Sequence, residues 1–244
     1  MKKIGIISRN YNKTRDFSRH FEEVLGLLDK EYCDTALFSL YSIDVKDSPF
    51  DPLKILEKLK NVKIVIYEEF LDKKDRTPLQ VVIYKKEQNW SRVEYKQSFS
   101  KRAGISTKVL RDFVAHKLPN RYIENGCLLI CGEINGVKYQ KNDRYIVDDF
   151  GMVKSMPKSV DVVLNPLHDK MIRHEMRKKR RYISKDRILL SVWNRGKLDK
   201  RGKESFDGSS PPFEIFKDGN NLYIKIAKKI EDVTVAIVDT GVRR

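Results

Sequence analysis

Two kinds of short apolar run alternate along the first seventy residues, and no other feature restricts the fold as tightly. A strand pattern over 3–8 is followed by Asn10-Tyr11-Asn12 and by Thr14-Arg15-Asp16, a helix-start signal. The helical run then reaches Leu28, with Phe17, Phe21, Val24, Leu25 and Leu28 on one face. A second strand is expected over 35–43, a helix from Asp51 or Pro52 through Leu53, Leu56 and Leu59, and a third strand over 62–67. Strand and helix in turn predict an α/β arrangement, in which helices carry the chain between strands.

Beyond residue 70 the pattern changes. Strands over 79–84 and 92–95 flank a polar turn at 87–89, which predicts a hairpin and therefore a mixed sheet. A helix is expected over 107–117, buried strands over 127–131 and 160–164, and a helix over 169–184. Strands over 187–193, 213–216, 222–227 and 234–238 complete the set. Within 135–159, Tyr145-Ile146-Val147 and Met152-Val153 read as a hairpin. With 244 residues, 40% of them hydrophobic, the chain is expected to form one domain over 1–244.

Several function classes drop out. The longest apolar run, Cys127 to Cys131, is far below the ~20 residues of a spanning helix. The apolar stretch after Met1-Lys2-Lys3 is shorter than the ~7–15 residues of a secretory signal, so a cytoplasmic location is expected. Cys33, Cys127 and Cys131 lack the spacing of a zinc site or a disulfide framework and are read as free thiols. No phosphate-cradling or dinucleotide-binding glycine motif is present, and neither a metal nor a cofactor is expected.

The net charge of +16 and a pI near 9.6 draw attention to phosphate-bearing partners. Positive charge is densest over 170–187. A helix there is expected to expose Arg173, His174, Arg177, Lys178, Arg180 and Arg181 and to bury Ile172, Met176 and Ile183. A solvated surface and a docking face for nucleic acid or an acidic partner both fit, and no known nucleic-acid module accompanies the patch.

Chemistry concentrates at Cys131. It ends an apolar strand and precedes Gly132, which lets the backbone turn so that a thiol and the following N–H groups can approach a ligand; a small buried hydrophobe is the alternative. Downstream lie Asp161-Val162-Val163-Leu164-Asn165-Pro166, then the Arg-rich helix. Leu189-Leu190-Ser191-Val192-Trp193-Asn194-Arg195-Gly196 and Phe206-Asp207-Gly208-Ser209-Ser210 follow. This ordered series resembles the carbon–nitrogen hydrolase, or nitrilase, superfamily, most closely from Cys127 to Ser210.

The resemblance implies an α-β-β-α sandwich with mixed sheets, layered further by pairing with a second copy as a homodimer or higher oligomer. It implies a cofactor-free hydrolase that attacks a small amide or nitrile through an acyl-enzyme on Cys131, with Lys96 after the hairpin strand as the catalytic lysine and Lys101 as runner-up. The N–H of Gly132 would join Lys96 in the oxyanion site, and Glu133, Asn165 and Asn194 would belong to the substrate-binding surround. His168, just after Asn165-Pro166, is read either as lining the site or as a cap or solvent-facing residue.

One part of the family pattern is missing. The catalytic glutamate belongs at the end of the second strand, where this chain reads Leu37-Phe38-Ser39-Leu40-Tyr41. Glu69 and Glu68, closing the next strand, and then Asp44 are the candidate replacements, with Glu69 favoured. Without a base, the chain would be an inactive homologue working through its basic helix; with an amine in place of water, an acyltransferase.

Overall fold

The computed structural model describes residues 1–10, 12–46, 50–71, 76–100, 105–171, 173–196, 211–224 and 226–241. In chain order the strands and helices are β1 (Lys3–Arg9), α1 (Phe21–Lys30), β2 (Thr35–Phe38), β3 (Ile43–Asp44), α2 (Leu53–Leu56), β4 (Ile64–Leu71), β5 (Thr77–Lys86) and β6 (Trp90–Tyr95). The second half holds α3 (Thr107–Asp112), β7 (Tyr122–Ile123), β8 (Gly126–Leu128), β9 (Lys138–Gln140), β10 (Tyr145–Val147), β11 (Val162–Pro166) and α4 (His174–Ile183). It closes with β12 (Ile188–Val192), β13 (Phe213–Lys217), β14 (Asn220–Leu222), β15 (Ile226–Ile230) and β16 (Val233–Asp239).

Two mixed sheets result. The first runs β15-β16-β1-β2-β4-β5-β6, with β3 beside β4, and the second runs β14-β13-β12-β11-β8-β7. The parallel pairs β1/β2 and β2/β4 in one sheet match β8/β11 and β11/β12 in the other, and antiparallel strands flank both.

Strand alternation explains how the sheets stack. Ile4, Ile6, Ile64 and Ile66 meet Leu128, Val162, Leu164, Leu190 and Val192 in one core between the sheets. The opposite face of the first sheet, with Ile7, Ala36, Val65 and Tyr67, is covered by Phe21, Val24, Leu25 and Leu28 of α1. Cys127, Val163, Leu189 and Phe216 of the second sheet are covered by Leu110 of α3 and by Met176 and Ile183 of α4. The product is the helix, sheet, sheet, helix layering that the resemblance implies. Gly5 sets the closeness of α1: a Cβ there would lie 2.3 Å from the Leu28 side chain.

Four local expectations change. The strand expected over 35–43 breaks after Phe38, and Tyr41 takes a φ of 54° before the short β3. The strand expected over 222–227 divides, β14 joining the second sheet and β15 the first. β10 pairs with β9, while Met152 is buried in the outer core and Val153 packs against it. Helix α4 starts at His174, and Arg180, in place of facing solvent, is buried on Glu214, as Lys179 beside it is buried on Asn135.

Candidate active site

The parallel strands of both sheets deliver their carboxyl ends to one end of the sandwich, where open α/β sheets place ligand sites. Polar bonds sew the two sheets together there. Ser8 Oγ donates to the Trp193 carbonyl at 2.6 Å, and Asn194 accepts from Ser39 Oγ and donates to the Leu40 carbonyl, each at 2.6 Å. The Leu40 N–H bonds the Leu167 carbonyl, so the chain after β2 lies against the chain after β11.

Cys131 sits at this end with a φ of 45°, a left-handed conformation costly for a residue with a Cβ, and opens a tight turn over Cys131–Gly136. The strain is held from several sides. Asn165 Nδ2 donates to the carbonyls of Leu129 at 2.6 Å and Cys131 at 3.1 Å. Glu133, fully buried, accepts the Ile130 N–H at 2.8 Å, the Ser98 N–H at 2.7 Å and Arg121 Nη2 at 3.0 Å. Burial pushes the Glu133 carboxyl pKa up, against the pull of Arg121 and the N–H donors. A Cβ at Gly132 would lie 2.1 Å from the Ser100 carbonyl oxygen, so only glycine lets the 96–100 strap cross there.

Against the thiol stands His168. Its Nε2 bonds both oxygens of Glu68, at 2.8 and 3.0 Å, and the Cys131 thiol is near enough to help raise its pKa. Burial pulls the His168 pKa down, but the Glu68 charge, the Cys131 thiol and the bond to Glu68 outweigh it and raise it to about 10. Glu68 is buried, and its Oε2 also accepts the Tyr41 N–H at 2.7 Å. The Tyr41 ring lies over the imidazole with centroids 4.1 Å apart, and burial, with Glu68, pushes its phenol to about 12.

The residues singled out in the sequence separate into groups. Cys131, Gly132, Asn165 and Asn194 converge on this end of the sandwich, Asn165 and Asn194 as buried braces of the backbone. Glu133 is spent on Ser98, Ile130 and Arg121. Glu69 points to the other face of β4, where it meets Arg92 at 3.0 Å and Gln80 at 3.1 Å, so Glu68 and not Glu69 belongs to the Cys131 cluster. Asp44 is held by Arg15 at 3.0 Å. Lys96 is exposed and lines, together with Glu68, a cavity of about 380 Å³. Lys101, Ile172, Phe206, Gly208, Ser209 and Ser210 lie outside the described residues.

His168 and Tyr41 complete the cluster. His168 carried a sequence signal, a histidine two residues beyond the strand-ending Asn165-Pro166; Tyr41 carried none beyond standing where the family has its glutamate. Among the described residues, no group of three His, Cys, Asp or Glu side chains is placed to hold a metal, and no helix is long and apolar enough to cross a membrane.

No protein-family model and no curated protein matches the sequence. Solved structures with a similar course of chain include an amidase from Nesterenkonia sp., 10% identical over 98% of this chain and 90% of that one at a TM-score of 0.49. Another is a CN-hydrolase superfamily protein from Xanthomonas campestris with an arsenic adduct in its active site, 11% identical over 97% and 90% at a TM-score of 0.49. A glutamine-dependent NAD(+) synthetase from Cytophaga hutchinsonii is 12% identical over 98% of this chain and 43% of its own, at a TM-score of 0.48. At such identities a residue's role has to come from the chain itself.

Proposed function

We propose that the chain is a carbon–nitrogen hydrolase that cleaves a small amide, or hydrates and cleaves a nitrile, through a thioester on Cys131. The observation that carries this reading is the imidazole of His168 held between the Glu68 carboxylate and the Cys131 thiol. A histidine that keeps its proton at neutral pH between a carboxylate and a thiol favours the thiolate–imidazolium pair, the reactive form of a cysteine.

With an amide, the thiolate attacks the carbonyl carbon, and the C–N bond breaks as His168 gives its proton to the leaving nitrogen. Water then attacks the thioester while neutral His168 takes its proton, releasing the carboxylic acid and restoring the pair. Glu68 keeps the imidazole oriented and charged, as the carboxylate does in a nucleophile–histidine–carboxylate triad. Lys96, lining the cavity beside Glu68, supplies a cation toward the oxyanion side.

The test is ammonia release from a panel of small amides and nitriles. Turnover in the parent chain that Cys131→Ala abolishes supports the reading, and turnover surviving in Cys131→Ala ends it. Acyl transfer to an added amine in place of water would assign the same thioester to an acyltransferase.

A further inference from the structure

Helix α4 turns cations inward, and one of them is short of partners. Arg180 is fully buried; its Nη1 donates to Glu214 Oε2 at 2.5 Å, while its Nε and Nη2 meet no acceptor among the described residues. Glu214 is already shared, since its Oε1 accepts Arg177 Nε at 2.8 Å. Among the described residues two guanidiniums thus share one carboxylate, Arg177 half exposed and Arg180 fully buried, so the buried cation is only partly offset.

That charge lies over a polar row leading to the nucleophile. Glu214 stands opposite Ser191, and Ser191 opposite Asn165, on three adjacent strands. Ser191 Oγ donates to Asn165 Oδ1 at 3.1 Å, and Asn165 Nδ2 donates to the Cys131 carbonyl at 3.1 Å. Helix α4 packs on the turn that Cys131 opens, Lys179 donates to Asn135 in that same turn at 2.6 Å, and Cys131 is among the groups whose charge Arg180 feels.

We propose that Arg180 is a positioning residue that biases Cys131 toward its thiolate, so that the basic helix works inward on the nucleophile. The inference rests on the Cys131 reading above. The other titratable groups around the thiol are His168 after β11, Glu68 from β4 behind the imidazole, the Tyr41 phenol after β2 over that imidazole, and Lys96 in the cavity beside Glu68; Asp169 acts on Tyr41, and Glu133, in the same turn as the thiol, is directed to Ile130, Ser98 and Arg121. His168 is matched by Glu68 and Glu133 by Arg121, whereas among the described residues the Arg177, Arg180 and Glu214 group holds two cations against one carboxylate.

The experiment is the pH dependence of iodoacetamide alkylation in the full chain, resolved for each cysteine by peptide mass. Cys33 and Cys127, whose thiols burial pushes to about 11 and about 12, serve as unlabelled references. Arg180→Met is expected to raise the Cys131 midpoint by about one pH unit, a roughly tenfold slower reaction below both midpoints. Glu214→Gln, which removes the opposing charge, is expected to lower the midpoint, and Arg180→Lys to stay close to the parent. Loosened packing does not produce shifts of opposite sign. An unchanged midpoint in Arg180→Met, shifts of the same sign in the Met and Gln variants, or a Lys variant shifted as far as the Met variant would overturn the proposal. A parent chain in which Cys131 is not selectively labelled would instead overturn the nucleophile reading beneath it.

Discussion

Cys127 and Cys131 lie four residues apart and both are buried, yet their surroundings differ in kind. Cys127 sits within β8, on the outer face of its sheet, among Leu129, Val163 and Leu189; burial pushes its thiol to about 12. Cys131 lies past the end of that strand, in a left-handed turn, with an imidazole against it and a carboxylate behind the imidazole. In the proposed chemistry, reactivity follows from where a strand ends, because there the backbone releases a side chain from sheet packing and lets polar groups from other strands meet it. Burial alone makes a thiol inert.

The largest effect should separate these two cysteines directly. Cys131→Ala is expected to remove amide turnover entirely, while Cys127→Ala loses packing and keeps its rate per folded molecule, read by ammonia release normalised to folded protein. Equal losses of rate would dissolve the distinction.

Replacing His168 by Asn should lower kcat by about 10²–10⁴, the usual worth of general acid–base help, with Cys131 still present. A rate near that of the parent would remove His168 from the chemistry.

The carboxylate behind the imidazole leaves a mark on stability. His168 has a folded pKa raised to about 10 against about 6.5 for an unperturbed histidine. Its stabilisation is therefore complete below about pH 6.5 and lost as pH rises through about 10. Tm should fall by several degrees between pH 7 and 10, and Glu68→Gln should flatten that slope. A slope that survives in Glu68→Gln would place its origin elsewhere.

The smallest effect belongs to the neighbour. Glu69→Gln, on the other face of β4, breaks a partly exposed pair with Arg92 and should cost about 0.2–1 kcal/mol in denaturant unfolding, with the rate unchanged. A loss of rate comparable to that of Glu68→Gln would exchange the two glutamates.

This pair also shows where the sequence stops being informative. Ile64, Val65, Ile66 and Tyr67 are apolar on both faces because β4 is covered by the second sheet on one side and by α1 on the other. A strand buried on both faces carries no amphipathic parity, so which of Glu68 and Glu69 points between the sheets depends on tertiary stacking. The α/β class was legible because helix and strand periods alternate along the chain, the layering came only with the resemblance, and Cys131-Gly132 stood out as a strand end followed by glycine because that pattern is local. His168 was less so, since the carboxylate that gives it a role comes from a residue a hundred positions away. The inward turn of Arg180 was hidden for the same reason: its partner Glu214 lies on a strand that follows the helix by thirty residues.

The most direct measurement is the protonation of His168 by NMR in the full chain with labelled histidine, assigned by the signal lost in His168→Asn. One imidazole still protonated at pH 8, and becoming neutral at lower pH in Glu68→Gln, is the result predicted for a histidine poised between Glu68 and Cys131. Four histidines all neutral at pH 8 would contradict the thiolate–imidazolium pair on which the proposed chemistry depends.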